Sequence, residues 1–143
     1  GVTIVYGSIH GHTAKAAKIM QKMLEDRGQK VEIFDLARDD MAEAIECAYR
    51  YDKLVIATVT YDAGVFPVVE DFVYHLKLKN YQKRTVGIIQ NGSWGPVAGK
   101  KVKESLETLK DIKIVDPMVT IRSALKEGNL TAMEALADAL VAK

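Results

Sequence analysis

Lys53-Leu54-Val55-Ile56-Ala57-Thr58-Val59 is a continuous, largely apolar run headed by a lysine. Such a run is typical of a strand buried on both faces, and strands of that kind belong to parallel sheets. The neighbouring segments repeat the theme. Upstream, Val2-Thr3-Ile4-Val5-Tyr6 is a short β-branched run ending at Gly7, and Val31 to Phe34 reads as another strand. Between these two, Thr13 to Arg27 carries Ala16, Ile19, Met20, Met23 and Leu24 at the spacing of one helical face. Gly28 follows where a C-terminal helix cap is expected. Met41, Ile45 and Ala48 mark a short helix behind Asp39-Asp40, either of which could cap it.

Downstream, Pro67 suits a first helical turn, and Phe66, Val69, Phe72, Val73 and Leu76 form a helical stripe. Thr85 to Gln90 is a fourth strand. Val97 to Lys110 is a helix with Val102, Leu106 and Leu109 inward. Ile112 to Val115 and Val119 to Ile121, split by Pro117, make an interrupted fifth strand. Asn129 to Ala142 closes the chain as a helix with Leu130, Met133, Leu136, Ala137 and Leu140 on one face. Five strands alternate with five helices. The alternation predicts an α/β fold: a parallel sheet covered on both faces, joined by right-handed crossovers. Ligands in such folds sit at the carboxyl ends of the strands. Chemistry is therefore expected in the loops after the first, third and fourth strands.

Composition fits this picture. The 143 residues make one domain, with 48% hydrophobic and 27% charged residues. Twenty Lys and Arg stand against nineteen Asp and Glu, a formal net charge of +1. That balance argues against a strong electrostatic nucleic-acid binder and against an acidic carrier steered by its own field. The single cysteine, Cys47, excludes an intramolecular disulfide and a Cys-based zinc site. No apolar run reaches membrane-spanning length and the start lacks a signal-peptide plan, so the expected location is the cytoplasm. The chain starts Gly1-Val2-Thr3 without an initiator Met. The expectation is a domain cut from something larger.

The first loop is Gly7-Ser8-Ile9-His10-Gly11-His12-Thr13, running into a helix. A helix N-terminus exposes unpaired N–H groups and a positive dipole end. Hydroxyls at Ser8 and Thr13 add donors, and Gly11 allows close approach of an anion. The loop can hold a phosphate without Lys or Arg. It is neither a Walker loop nor a dinucleotide fingerprint, because the Gly-Lys-Ser/Thr and the second-glycine spacing are missing. His10 and His12 lack a further ligand at metal spacing, since the other histidine, His75, lies within a predicted helix. They read as donors toward the anion rather than as metal ligands.

Thr58-Val59-Thr60-Tyr61-Asp62-Ala63-Gly64-Val65-Phe66-Pro67 follows the third strand, and Asn91-Gly92-Ser93-Trp94-Gly95-Pro96-Val97-Ala98-Gly99 follows the fourth. Each sets an aromatic residue among small ones. Tyr61 and Trp94 either pack on neighbouring loops or on a further domain, or stack on a flat ligand whose polar edge is read by loop N–H groups. A phosphate at one loop and a flat ring between two others describe a mononucleotide-like cofactor.

With these three loops in order, the chain resembles the flavodoxin family, and most closely the flavodoxin-like domain at the C-terminus of flavodiiron (A-type) flavoproteins. The resemblance covers essentially the whole chain. Ser8-Ile9-His10-Gly11-His12-Thr13 is similar to the family's phosphate loop. Gly64-Val65-Phe66-Pro67 matches its Gly-x-Phe-Pro, and Asn91-Gly92-Ser93-Trp94-Gly95-Pro96 its third loop. Ala57, Val59, His12, Asp62 and Gln90 depart from the residues customary there.

The resemblance implies a flavodoxin-like three-layer sandwich over residues 1–143, with a five-stranded parallel sheet in the order 2-1-3-4-5. It implies non-covalently bound FMN and an electron carrier or redox domain, rather than a complete enzyme with catalytic residues of its own. Ser8, Ile9, His10, Gly11, His12 and Thr13 would hold the phosphate. Thr60, Tyr61, Asp62, Ala63 and Gly64 would border one side of the ring, and Asn91, Gly92, Ser93, Trp94 and Gly95 the other. Asp62, as a carboxylate beside the ring, would lower the second reduction potential. The implied partner is a redox protein or domain, foremost a diiron domain of a larger flavoprotein. A near-neutral charge suits a tethered module, which needs no steering field.

The alternatives are a stand-alone short-chain flavodoxin and a flavodoxin-like interaction module that has lost FMN. A receiver domain fails for want of an acidic pair after the first strand and an Asp ending the third. A small tyrosine phosphatase fails because Lys53, not Arg, stands six residues after Cys47. A flavin-dependent reductase would need a substrate-side acid or base, or a nicotinamide site, and neither is evident.

Overall fold

A computed structural model describes residues 1–8, 11–61, 64–92, 97–122 and 125–142. The strands are β1 (Val2–Tyr6), β2 (Val31–Asp35), β3 (Lys53–Tyr61), β4 (Gly64–Val65), β5 (Arg84–Asn91), β6 (Ile112–Ile114) and β7 (Val119–Ile121). The helices are α1 (His12–Asp26), α2 (Met41–Arg50), α3 (Pro67–Leu78), α4 (Ala98–Glu107) and α5 (Glu127–Val141).

The main sheet runs β2-β1-β3-β5-β6 and is parallel throughout. This is the expected order, 2-1-3-4-5. The sheet nevertheless has seven strands rather than five. The fifth position is shared: β6 pairs with the start of β5 and β7 with its end. Pro117, after a cis peptide bond, lies between them. Pro lacks the N–H a ladder needs, so an interrupted strand here follows from the sequence. β4 is the unexpected strand. β4 pairs antiparallel with the end of β3, Thr60 opposite Val65 and Tyr61 opposite Gly64. Two residues are too few for a periodic signal.

Alternation along the strands feeds two cores. Val2, Ile4, Val55, Ala57 and Ile89 join Met20, Leu24, Met133 and Leu136, from α1 and α5, on one face. Val5, Leu54, Ile56, Val86 and Ile88 join residues of α2, α3 and α4 on the other. The sheet is thus covered on both sides, and its ladder groups are shielded from water. Among the described residues, no helix is long and apolar enough to cross a membrane.

The helix ends obey local chemistry. Asp40, not Asp39, caps α2: its carboxylate accepts the Ala42 N–H at 2.9 Å. Gly28 sits at φ 81°, and the N–H groups of Gly28 and Gln29 bond the Glu25 and Leu24 carbonyls at 3.0 Å each. That closes α1 with a Schellman motif. Pro67 opens α3. One packing expectation fails. Leu130 is exposed rather than inward: it lies in the first turn of α5, and the buried residues of that helix begin at Met133.

Candidate functional site

The carboxyl ends of β1, β3 and β5 lie side by side. Tyr6 is level with Ala57, and Val59 with Asn91. Every loop expected to carry chemistry leaves from one of these ends.

At the first, Gly11 precedes α1 with φ 84° and ψ −12°, and no side chain caps the helix. The first-turn N–H groups of α1 thus have no capping side chain, which is the condition for anion binding at a helix start. Ser8 shapes the approach, its Oγ accepting the Gly11 N–H at 3.0 Å. Nothing lies within 4 Å of a Cβ built on Gly11. Gly11 and His12 are exposed, Ser8 is half-buried and Thr13 is buried. Ile9 and His10 lie outside the described residues.

Gly7 is there for a different reason. A Cβ on it would stand 2.8 Å from Phe66 Cδ2 and 2.9 Å from Val69 Cγ2. The absent side chain lets the start of α3 pack directly against the end of β1. Phe66, from the Gly-x-Phe-Pro segment, is therefore an internal brace between the first and third-strand loops.

At the end of β3, Thr60 reaches across to another element. Its hydroxyl accepts the backbone N–H groups of Val97 at 3.1 Å and Ala98 at 3.2 Å. It thereby caps α4 from another strand, tying the loop after β3 to the loop after β5. Tyr61 and Gly64 carry the β3–β4 pairing. Asp62 and Ala63 lie outside the described residues.

At the end of β5, Asn91 and Gly92 are buried, and the Gly92 N–H bonds the Ile121 carbonyl at 3.0 Å. Ser93, Trp94 and Gly95 lie outside the described residues. Gln90, noted in the sequence only as a departure, is 7% exposed and holds two elements. Its Oε1 accepts the Gly99 N–H and its Nε2 donates to Thr120 Oγ1, each at 2.9 Å. A polar residue at the end of an apolar strand, nine residues before a glycine, was the available signal.

The electrostatics are asymmetric. Lys15 and Lys18 extend the positive N-terminal end of α1, whereas Asp35, paired in register with Tyr6, and Asp39 lie on the β2 side. Burial, reinforced by these two carboxylates, pushes the Tyr6 hydroxyl above its ordinary range. Among the described residues, no group of three or more His, Cys, Asp or Glu could hold a metal ion. The arrangement thus offers an anion seat at α1 beside a braced mouth formed by β3 and β5.

Comparison with known proteins bears on the same region. Residues 4–135 match the family model Flavodoxin. No curated protein matches by sequence. Rubredoxin oxygen:oxidoreductase of Desulfovibrio gigas superposes with a TM-score of 0.88 at 17% identity, over 97% of this chain and 34% of that one. The flavodiiron protein of Giardia intestinalis gives 0.83 at 17%, over 96% and 34%. Flavodoxin 1 of Bacillus cereus gives 0.82 at 13%, over 98% and 96%. The chain thus spans about a third of the first two proteins and nearly all of the third.

Proposed function

The chain belongs to the flavodoxin family, and from that premise we propose that it is an electron-transfer domain whose FMN sits at the ends of β1, β3 and β5. The observation that carries this reading is the α1 start. Gly11 holds a left-handed conformation with open space where a side chain would be, and Ser8 fixes its N–H. A phosphate group fits those residues. FMN, when bound, supplies one- and two-electron chemistry through its ring.

This chain's own residues supply position. Ser8, Gly11, His12 and Thr13, with Ile9 and His10, would hold the phosphate. Thr60, Tyr61, Asp62, Ala63 and Gly64 would flank one side of the ring, and Asn91, Gly92, Ser93, Trp94 and Gly95 the other. Thr60 and Gln90 act through backbone: they fix where α4 and its preceding loop begin. Purified protein titrated with FMN should show a shifted flavin spectrum and a raised melting temperature. At about a hundredfold excess over Kd the stabilisation is about 2.7 kcal/mol. A colourless protein whose melting temperature ignores FMN overturns the reading and leaves an interaction module.

The finer proposal is that the parent protein carries a diiron domain that exchanges electrons with this flavin, in the cytoplasm. The likeness to a domain within a flavodiiron protein supports it. A reading frame upstream of Gly1 encoding a His/Asp/Glu iron-ligand set tests it. The alternative, a free-standing flavodoxin, is supported by the end-to-end likeness to the Bacillus cereus protein.

A further inference from the structure

Beside the anion seat runs a groove of about 730 Å³, lined along one flank of α1 and reaching α5 at Glu134. It begins at Gly11, so it is continuous with the loop assigned to the phosphate. Its floor is apolar: Ala14, Ile19 and Met23. Its charged rim is not balanced. Lys22 pairs with Asp26 at 3.9 Å, and Arg27 occupies Glu134 at 2.6 Å. Lys15 and Lys18, both exposed, have no acidic partner among the described residues. They stand one helical turn apart, on the side of the groove nearer the loop, and the positive end of α1's dipole adds to them. The uncompensated charge of the groove is therefore positive and concentrated at its loop end.

We propose that this groove docks an acidic face of the redox protein that exchanges electrons with the site. The inference rests on the FMN reading and adds the partner's chemistry and place. Charge complementarity selects the occupant: carboxylates meet Lys15 and Lys18, while apolar side chains between them cover Ala14, Ile19 and Met23. Among the described residues the groove has no aromatic lining for stacked bases, and the two free cations beside neutral pairs are too few for a polyanion track. Docking here holds the partner against the loop that ends at Gly11. Rim charges of this kind set the association rate and its salt dependence more than the final affinity.

The test uses an acidic [2Fe–2S] ferredoxin, reduced beforehand, as the probe. One electron leaves the reduced cluster and enters the flavin, so mixing is followed by the absorbance of both. The second-order rate constant should fall with added salt. With FMN kept saturating, Lys15→Glu with Lys18→Glu should lower it about tenfold and flatten the salt dependence, while the melting temperature stays unchanged. A charge-matched control, Lys110→Glu with Lys113→Glu, should stay within about twofold. Equal effects of the two pairs, or a rate that rises with salt, overturn the proposal. So does self-association that the Lys15/Lys18 variant abolishes, because the groove would then seat a second copy. If the protein takes up no FMN, the functional reading fails by itself. Docking is then read from amide NMR shifts: changes confined to residues 11–26 and 134 support it, and their absence overturns it.

Discussion

The side-chain oxygen of Gln90 accepts the backbone N–H of Gly99 at 2.9 Å, and a side chain at Gly99 would crowd that oxygen. A Cβ there would lie 2.8 Å from Gln90 Oε1 and 2.7 Å from Met118 Sδ. The same amide donates to Thr120, so one buried residue joins β5, α4 and β7. The mouth between β5 and α4 is fixed by a hydrogen-bond network rather than by apolar packing alone.

Gln90→Leu should therefore destabilise the fold by about 1–3 kcal/mol, because it leaves the Gly99 N–H and the Thr120 hydroxyl without this partner. Gly99→Ala should cost about 1–3 kcal/mol through overpacking. The double variant should cost less than the sum, since both changes break one contact. Urea unfolding midpoints measure all three. Full additivity would show that the two residues act independently.

The Thr60 hydroxyl leads to a second expectation. Thr60→Val keeps the shape but removes the acceptor for Val97 and Ala98. The loss should be about 1 kcal/mol, as for a helix cap. FMN affinity should fall as well, because the loop preceding α4 loses its anchor. Thr60→Ser should restore both properties. An unchanged FMN Kd in Thr60→Val would separate the cap from the site.

These two residues show what the sequence could and could not reveal. The apolar run from Lys53 to Val59 specified a buried central strand because burial on two faces leaves no other composition. Two-sided cover followed from that run, whereas the strand order rested on the resemblance of the three loops to the flavodoxin family. Cross-element bonds such as Thr60 to Ala98 are set by where separate strands and helices meet, and no local pattern encodes that. β4 has no local signature for a related reason: Gly64–Val65 becomes a strand only by pairing with β3. Gly7 looked like the end of a strand. Its packing against Phe66, 59 residues later in the chain, is tertiary. Leu130 had the right spacing but sits at the start of a helix whose buried face begins at Met133.

Alkaline pH should weaken the fold in a defined window. Burial pushes the Tyr81 hydroxyl well above the ordinary value of 10.0, and raises Tyr6 and Tyr49 in the same direction. Above pH 10 the unfolded chain releases these protons while the folded chain keeps them. The unfolded state then binds fewer protons, so stability falls as pH rises from about 10 and is flat just below it. The Tyr81 hydroxyl is buried and has no hydrogen-bond partner among the described residues. Tyr81→Phe should accordingly raise stability near pH 8 by about 1 kcal/mol and reduce the alkaline slope. An identical slope in urea midpoints taken from pH 8 to 11 would assign the loss to other groups.

Gly11 allows strain and space to be told apart. Its φ of 84° costs an ordinary residue about 1–2 kcal/mol, whereas asparagine tolerates this region. Asn80 already holds φ 55° behind α3. Gly11→Ala should lose about 1 kcal/mol of stability, and Gly11→Asn should lose much less. FMN binding should behave differently. A Cβ at this position enters open space within the cradle formed by Ser8 and the start of α1, so both variants should bind FMN at least about tenfold more weakly, equivalent to about 1.4 kcal/mol. Stability from urea unfolding and affinity from FMN titration should thus rank the two variants differently. Gly11→Asn with wild-type affinity would mean that the phosphate does not sit at Gly11, and the anion seat would then have to be sought elsewhere along the loop.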